Sequence, residues 1–160
     1  MSETPEHLTE RLRSDGERVQ AFFRNLTPDQ WEREIYSEGS RWNVCQILAH
    51  FVVSEQSMTR LVENILDGGS GSPEDFNLDV YNERQVASLS NVAVDGLLNQ
   101  FSISRGKTAD LVDKITERDL TRQGRHPFLG IATLEDIIKL IYRHNQIHLR
   151  DIKRVLGSTT

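Results

Sequence analysis

Cysteine and proline are scarce in this sequence, and it has no long apolar run and no basic stripe. The single cysteine, Cys45, excludes an internal disulfide, so we expect a reducing, cytoplasmic setting. No apolar run approaches the roughly 20 residues that span a bilayer. The amino terminus lacks a basic region followed by an apolar core, so we also expect no secretory signal. The net charge of −5, with both signs interspersed, argues against nucleic-acid and membrane-surface partners.

Four long segments have the 3.6-residue apolar period of amphipathic helices. The predicted helices run from about Pro5 to Leu26, from a cap at Asn43 to a stop at Asp67, from Val80 to Ile115, and from Thr133 to Leu156. Glycines weaken the third helix, so we expect a kink or break near residues 104–106. No strand pair is convincing, and residues 124–130 are predicted as a loop. The sequence therefore predicts one all-α domain over residues 1–160, a four-helix bundle.

Three histidines occupy or border the apolar stripes of two of these helices. His144 and His148 are four residues apart, which places them on one helix face, one turn apart. His50 borders the buried face of the second helix. Imidazole is the commonest protein ligand for divalent transition metals, and three such ligands leave coordination positions open. We therefore predict a metal site at His50, His144 and His148, against the alternative that all three are hydrogen-bonded core residues.

The axial positions of these histidines favour one topology. At 1.5 Å per residue, His50 lies roughly 10 Å inside the second helix, and the other two lie roughly 12 to 18 Å from the end of the fourth. They become nearly level only if the second and fourth helices are antiparallel. That arrangement needs a long crossover between the second and third helices. The linker of residues 67–79 can reach about 40 Å at most, which is sufficient.

The chain resembles the DinB-like (YfiT-like) superfamily of metal-binding four-helix bundles. The resemblance rests on the stretch Trp42-Asn-Val-Cys-Gln-Ile-Leu-Ala-His50, on residues 126–134, and on the stretch from His144 to Ile152. It implies an up-down-down-up bundle in which His50, His144 and His148 hold a divalent ion, with zinc or nickel expected. At Asp151 the family often has glutamine. This acid is therefore either a bystander, a residue that orients a ligand, or an additional ligand.

The resemblance also implies a range of functions. Characterised members include thiol-dependent transferases and isomerases that use mycothiol or bacillithiol, and many members dimerise. We expect a metal-dependent hydrolase or a low-molecular-weight thiol S-transferase that acts on a small molecule. The alternatives are a non-catalytic, metal-stabilised helical dimer with a binding or stress-response role, and a metal-free helical dimer whose histidines are remnants. An exchangeable coordination position favours the enzyme.

Other residues carry weaker expectations. His126 is interpreted as a residue that fixes its loop, with a role at a cavity mouth as the alternative. Glu55 is either a base near the site or, as we expect, a solvated acid. Cys45 is interpreted as a small buried filler. Leu140, Ile147 and Leu149 lie off the apolar seam of the fourth helix, and this set predicts a homodimer because a monomer would leave it wet.

Overall fold

Four long helices form the body of the molecule. The computed structural model describes residues 3–157. Its helices are α1 (Pro5–Arg24), α2 (Pro28–Trp31), α3 (Val44–Leu66), α4 (Leu78–Ser88), α5 (Val94–Asp113) and α6 (Leu134–Gly157), with a 3-10 turn at Asp119–Thr121 and the strands β1 (Gln123–His126) and β2 (Gly130–Thr133). Among the described helices, none is long and apolar enough to cross a membrane. The predicted four-helix bundle, formed by α1, α3, α5 and α6, is confirmed.

Local capping explains where the first two long helices begin. The hydroxyl of Thr4 accepts a hydrogen bond from the backbone of His7, and Pro5 occupies the first turn of α1. Asn43 and Gln46 form a reciprocal capping box at the start of α3. Both helices therefore start where the sequence predicts, because each start is encoded within four residues.

Two apolar clusters define the direction of each long helix. At one end of the bundle, the first cluster gathers the start of α1, the ends of α3 and α5, and the start of α6: Leu8, Leu12, Val62, Ile65, Ala109, Val112, Leu134 and Ile137. At the other end, the second cluster gathers the end of α1, the starts of α3 and α5, and the end of α6: Val19, Phe23, Val44, Ile47, Leu97, Phe101, Leu149 and Ile152. The bundle is therefore up-down-down-up, with α3 antiparallel to α6, as predicted.

The crossover between α3 and α5 differs from the prediction. The predicted third helix is divided into α4 and α5, and the chain leaves the helix at residues 89–93 rather than at 104–106. Ser90 and Asn91 favour this exit because their side chains compete for backbone hydrogen bonds. Gly106 lies within an unbroken α5. The crossover thus spans residues 67–93 and contains α4, which packs along α3.

A β-hairpin replaces the loop predicted at residues 124–130, so the absence of a strand pair was a wrong prediction. Strands β1 and β2 are antiparallel, with Gln123 opposite Thr133. The crossover is attached to β1, since Arg125 donates to the carbonyl of Ser70 and accepts from the amide of Ser72, both at 2.8 Å. Gly71 has φ +91°, and a Cβ there would lie 2.4 Å from the backbone of Arg125. Only glycine permits this close approach.

A layer of buried polar residues separates the two apolar clusters. The Arg105 guanidinium donates to both carboxylate oxygens of Glu55, at 2.8 and 2.9 Å. It also donates to Asp15 at 3.2 Å, to the carbonyl of Leu12 at 3.0 Å, and to the side-chain oxygen of Asn145. Side chains from all four long helices therefore meet at one guanidinium. Glu55 is buried here, with 2% exposure, so the expectation of a solvated acid is wrong.

The two carboxylates share Arg105 unequally. Glu55 receives two short hydrogen bonds, whereas Asp15 receives one longer bond. Burial therefore outweighs the attraction of Arg105 and raises the pKa of Asp15. Burial alone would lower the pKa of Arg105, but the charge of Glu55, followed by that of Asp15, raises it. Gly16 leaves room for this side chain, because a Cβ there would lie 2.9 Å from the Cγ of Arg105.

We expect Arg105→Met to lower the free energy of unfolding by about 3–5 kcal/mol, because it leaves two buried carboxylates without their cation. An acid whose pKa is higher in the folded state than in the unfolded state destabilises the folded state as the pH rises above the unfolded pKa. The loss should therefore be smaller at about pH 5 than at about pH 8. Urea denaturation at both pH values measures it. Arg118→Met, at an exposed position, is the control. A loss below about 1 kcal/mol would contradict the layer's structural role.

Candidate metal centre

The three histidines singled out in the sequence meet between α3 and α6. The Nε2 atom of His144 lies 2.9 Å from Nε2 of His50 and 3.1 Å from Nε2 of His148. One ligand atom from each ring lies within 4.8 Å of the others. The antiparallel packing of α3 and α6 brings His50 level with the other two. His50 is buried, with 4% exposure, and His144 and His148 are partly buried.

A tyrosine that the sequence analysis missed orients one of these rings. The hydroxyl of Tyr36 lies 2.7 Å from Nδ1 of His148, and it donates to Asp151 at 2.7 Å. Since that hydroxyl proton is committed to Asp151, the Tyr36 oxygen accepts from the Nδ1–H of His148. This assigns the proton of His148 to Nδ1 and leaves its Nε2 lone pair directed at the cluster. Asp151 is thus the residue that orients a candidate ligand through Tyr36.

Burial lowers the pKa of all three imidazoles, which favours their neutral form. Burial, followed by the charge of His148, lowers the pKa of His50 to about 3. Burial, followed by the charges of His50 and His148, holds the pKa of His144 well below its usual value. Burial also lowers the pKa of His148, although Asp151 opposes the shift. Neutral imidazole is the form that binds a metal.

The donor set fits a divalent transition ion. Two nitrogens that are each about 2.0–2.1 Å from one ion cannot be more than about 4.2 Å apart. The contacts at 2.9 and 3.1 Å are within this limit, and since all three ligand atoms lie within 4.8 Å of one another, the third pair needs at most a small closure to bind the same ion. Because the ring proton of His148 is on Nδ1, its Nε2 atom is unprotonated, and this atom faces Nε2 of His144. A cation can be bound by several imidazole nitrogens at once, whereas a single proton is shared by only two of them.

A cavity of about 600 Å³ opens beside the histidines. His50 and His144 line it, but His148 does not. Its walls come from α3, the crossover, the hairpin and α6: Ser54, Ser57, Met58, Arg60, Leu61, Asn64, Gly71, Ser72, Phe76, Leu78, Tyr81, Asn82, His126, Pro127, Phe128, Leu140 and Ile147. Apolar groups dominate this surface. The histidine cluster is therefore accessible to a small molecule from the side of the crossover.

His126 has a fixed orientation at the wall of this cavity. Its Nδ1 accepts hydrogen bonds from the backbone amides of Phe128 and Leu129, at 3.0 and 3.2 Å. The ring proton is therefore on Nε2, and burial lowers the pKa so that the ring stays neutral. Within residues 3–157, Nε2 has no hydrogen-bond partner. Since no fully buried side-chain nitrogen in this range lacks a partner, the Nε2 atom of His126 is accessible. The ring both fixes the hairpin and presents a donor to the cavity.

The structure also locates Cys45 and the apolar residues on which the homodimer prediction rested. Cys45 is half-buried, and burial raises the pKa of its thiol, which agrees with the role of an unreactive filler. Leu149 is only 7% exposed in the bundle core, so it does not belong to an off-seam surface. Leu140 and Ile147 line the cavity instead. The apolar set that motivated a homodimer is therefore not one continuous surface.

The family of the chain follows from its sequence. The family model of the DinB superfamily matches residues 11–152. The chain belongs to the DinB superfamily. No curated protein matches the chain.

Solved structures share the DinB fold. YfiT from Bacillus subtilis, described as a probable metal-dependent hydrolase with an unusual four-helix bundle topology, is 18% identical, with a TM-score of 0.74 over 96% of this chain and 87% of YfiT. A mycothiol-dependent maleylpyruvate isomerase is 14% identical, with a TM-score of 0.73 over 92% of this chain and 60% of the isomerase. The colibactin self-resistance protein ClbS, in complex with double-stranded DNA, is 11% identical, with a TM-score of 0.72 over 96% of this chain and 98% of ClbS. At these identities the likenesses establish the fold alone.

We expect Tyr36→Phe to redistribute the ring proton of His148, because Nδ1–H loses its acceptor. In metal-free protein, the ¹⁵N chemical shifts of His148 should indicate the Nδ1–H tautomer before the substitution and a mixture of tautomers after it. Tyr81→Phe is the matched control, since that hydroxyl contacts Ser57 and Arg60 instead. Unchanged ¹⁵N shifts in Tyr36→Phe would contradict the assigned hydrogen-bond chain.

Proposed function

We propose that this DinB-superfamily protein is a divalent-metal-dependent enzyme that acts on a small molecule, as a hydrolase or as a low-molecular-weight thiol S-transferase. The proposed ligands are His50, His144 and His148, with zinc or nickel as the ion. The observation that carries the proposal is the cavity of about 600 Å³ beside two of these histidines. A purely structural metal site is closed by its ligands, whereas a catalytic site keeps a position open to substrate.

The protein side chains supply positioning around this site. The ion, when bound, would act as a Lewis acid that activates water or a thiol. Tyr36 and Asp151 hold the ring of His148 in its ligand orientation. His126 presents an Nε2–H to the cavity, where it can donate to an oxygen of the substrate. Burial by the apolar walls excludes bulk water and strengthens these contacts.

The two reaction classes have different support. The YfiT likeness favours the hydrolase, and the mycothiol-dependent isomerase favours a thiol partner. The ClbS complex is the reason to test DNA as well, although the interspersed charges of this chain predict no nucleic-acid partner.

A homodimer in the cytoplasm remains our prediction.

We expect His144→Ala to abolish stoichiometric zinc or nickel binding, because two imidazoles remain where three converged. The helical content should be retained, since alanine is a good helix former. Elemental analysis of protein purified without an affinity tag, together with circular dichroism, measures both effects. His7→Ala is the matched control, because that side chain is 52% exposed in α1. Full metal occupancy in His144→Ala would show that the proposed ligand set is wrong.

The reaction class can be tested with the metal-loaded protein. We expect it either to hydrolyse nitrophenyl esters or to conjugate monochlorobimane with mycothiol or bacillithiol. His144→Ala should lose that activity and His7→Ala should keep it, because only the former removes a proposed ligand. A coordination sphere that is fully closed by protein atoms, measured by X-ray absorption, would favour the non-catalytic, metal-stabilised dimer instead.

A further inference from the structure

The face of α3 that borders the cavity extends far beyond the histidines. His50, Ser54, Ser57, Leu61 and Asn64 all line the cavity, and their spacing of four, three, four and three residues defines one stripe of a helix. At 1.5 Å per residue, this stripe is about 21 Å long. The cavity is therefore an elongated channel that starts at the histidines, rather than a small recess around a metal.

The far part of this channel holds a polar group of three side chains. The guanidinium of Arg60 donates to the hydroxyls of Tyr81 at 3.2 Å and Ser57 at 3.4 Å. Those two hydroxyls lie 2.9 Å apart. All three residues line the cavity. The crossover helix α4 thus brings Tyr81 against α3, where its hydroxyl holds the guanidinium at an exposed edge of the cavity.

Arg60 carries a positive charge without a compensating acid. Within residues 3–157, no ion pair includes Arg60, whose side chain is exposed. This differs from Arg125 and Arg41, which pair with Glu74 and Glu34. An arginine held by two hydroxyls retains free N–H donors, and its planar fork matches carboxylate, sulfonate and phosphate oxygens.

Apart from the polar group and Ser54, most of the wall around this channel is apolar. Its apolar residues are Met58 and Leu61 of α3, Leu140 and Ile147 of α6, and Phe76 of the crossover. Arg60 is ten residues after His50, so the cation and the metal centre are separated by about 15 Å along α3. A bound molecule that fills this space has a reactive group at one end, an apolar middle and an anion at the other end.

We infer that the substrate of this site is an elongated, mainly apolar organic anion, whose negative group binds Arg60 with Tyr81 and Ser57 while its opposite end reaches the histidines. The inference rests on the proposed function for the identity of the reacting end. The anion subsite itself stands on Arg60 and its two hydroxyl partners, independently of any metal.

Alkanesulfonates are suitable probes because the sulfonate is a poor ligand for zinc and nickel and must use another anchor. We expect decanesulfonate to bind the purified protein on the order of tenfold more tightly than decanol, and decyltrimethylammonium to bind less tightly than either. Hexanesulfonate, which is four methylenes shorter, should bind on the order of a hundredfold more weakly than decanesulfonate, since each buried methylene contributes about fourfold. Isothermal titration calorimetry below the micellar concentrations measures all four affinities.

Variants separate this subsite from the metal centre. Arg60→Met should remove the preference for decanesulfonate over decanol, and Arg60→Lys should keep part of it. Arg118→Met, an equal charge change at an exposed position, should leave the preference intact. His144→Ala tests independence, since it should keep the preference while losing the metal.

The outcomes are distinct. Equal affinity of the wild-type protein for decanesulfonate and decanol would overturn the substrate class and leave the metal proposal standing. A preference that survives Arg60→Met would show that the anion binds elsewhere. Loss of metal binding in His144→Ala with an unchanged preference for decanesulfonate would support both proposals.

Discussion

A single guanidinium in the middle of the bundle sets the axial register of the four long helices. Arg105 must reach Glu55 and Asn145 together, so α3 and α6 cannot slide past each other without leaving a buried charge unpaired. His144 directly precedes Asn145, and His50 precedes Glu55 by five residues, about 7.5 Å along the helix. The histidines form a second tie between the same two helices, because Nε2 of His144 lies 2.9 Å from Nε2 of His50.

The bundle itself was predictable, but its central layer was not. Apolar period and capping residues located the long helices, and the levels of the histidines predicted the antiparallel packing of α3 on α6. Asp15, Glu55 and Arg105 each interrupt an apolar stripe, which is visible in the sequence. A single sequence does not show that these three positions lie at the same height along the bundle, so the buried polar layer could not be predicted. The hairpin was missed because its four-residue strands show no alternation and depend on a contact with Gly71 of the crossover.

In the candidate site, too, residues at helical spacing were predictable from the sequence, whereas contacts between distant segments were not. Three histidines at helical spacing were sufficient to predict which side chains converge. Tyr36 was missed because it lies in the irregular segment between α2 and α3, where no periodicity predicts a direction. Its backbone amide bonds to the carbonyl of Trp42, which returns the chain towards α3. The distal group of Arg60 and Tyr81 was equally hidden, since it exists only because α4 folds back along α3.

The separation of the core into two apolar clusters has a consequence for cooperativity. Each cluster contains segments of all four long helices, and we expect the two clusters to loosen with different free energies of opening. Phe51 belongs to the second cluster, and its ring centroid lies 6.0 Å from that of His144 and 5.8 Å from that of His148. We therefore expect partial opening of the second cluster to disturb the arrangement of the imidazoles without global unfolding. Amide hydrogen exchange in α6 would then report the integrity of the site before any loss of helix is detected.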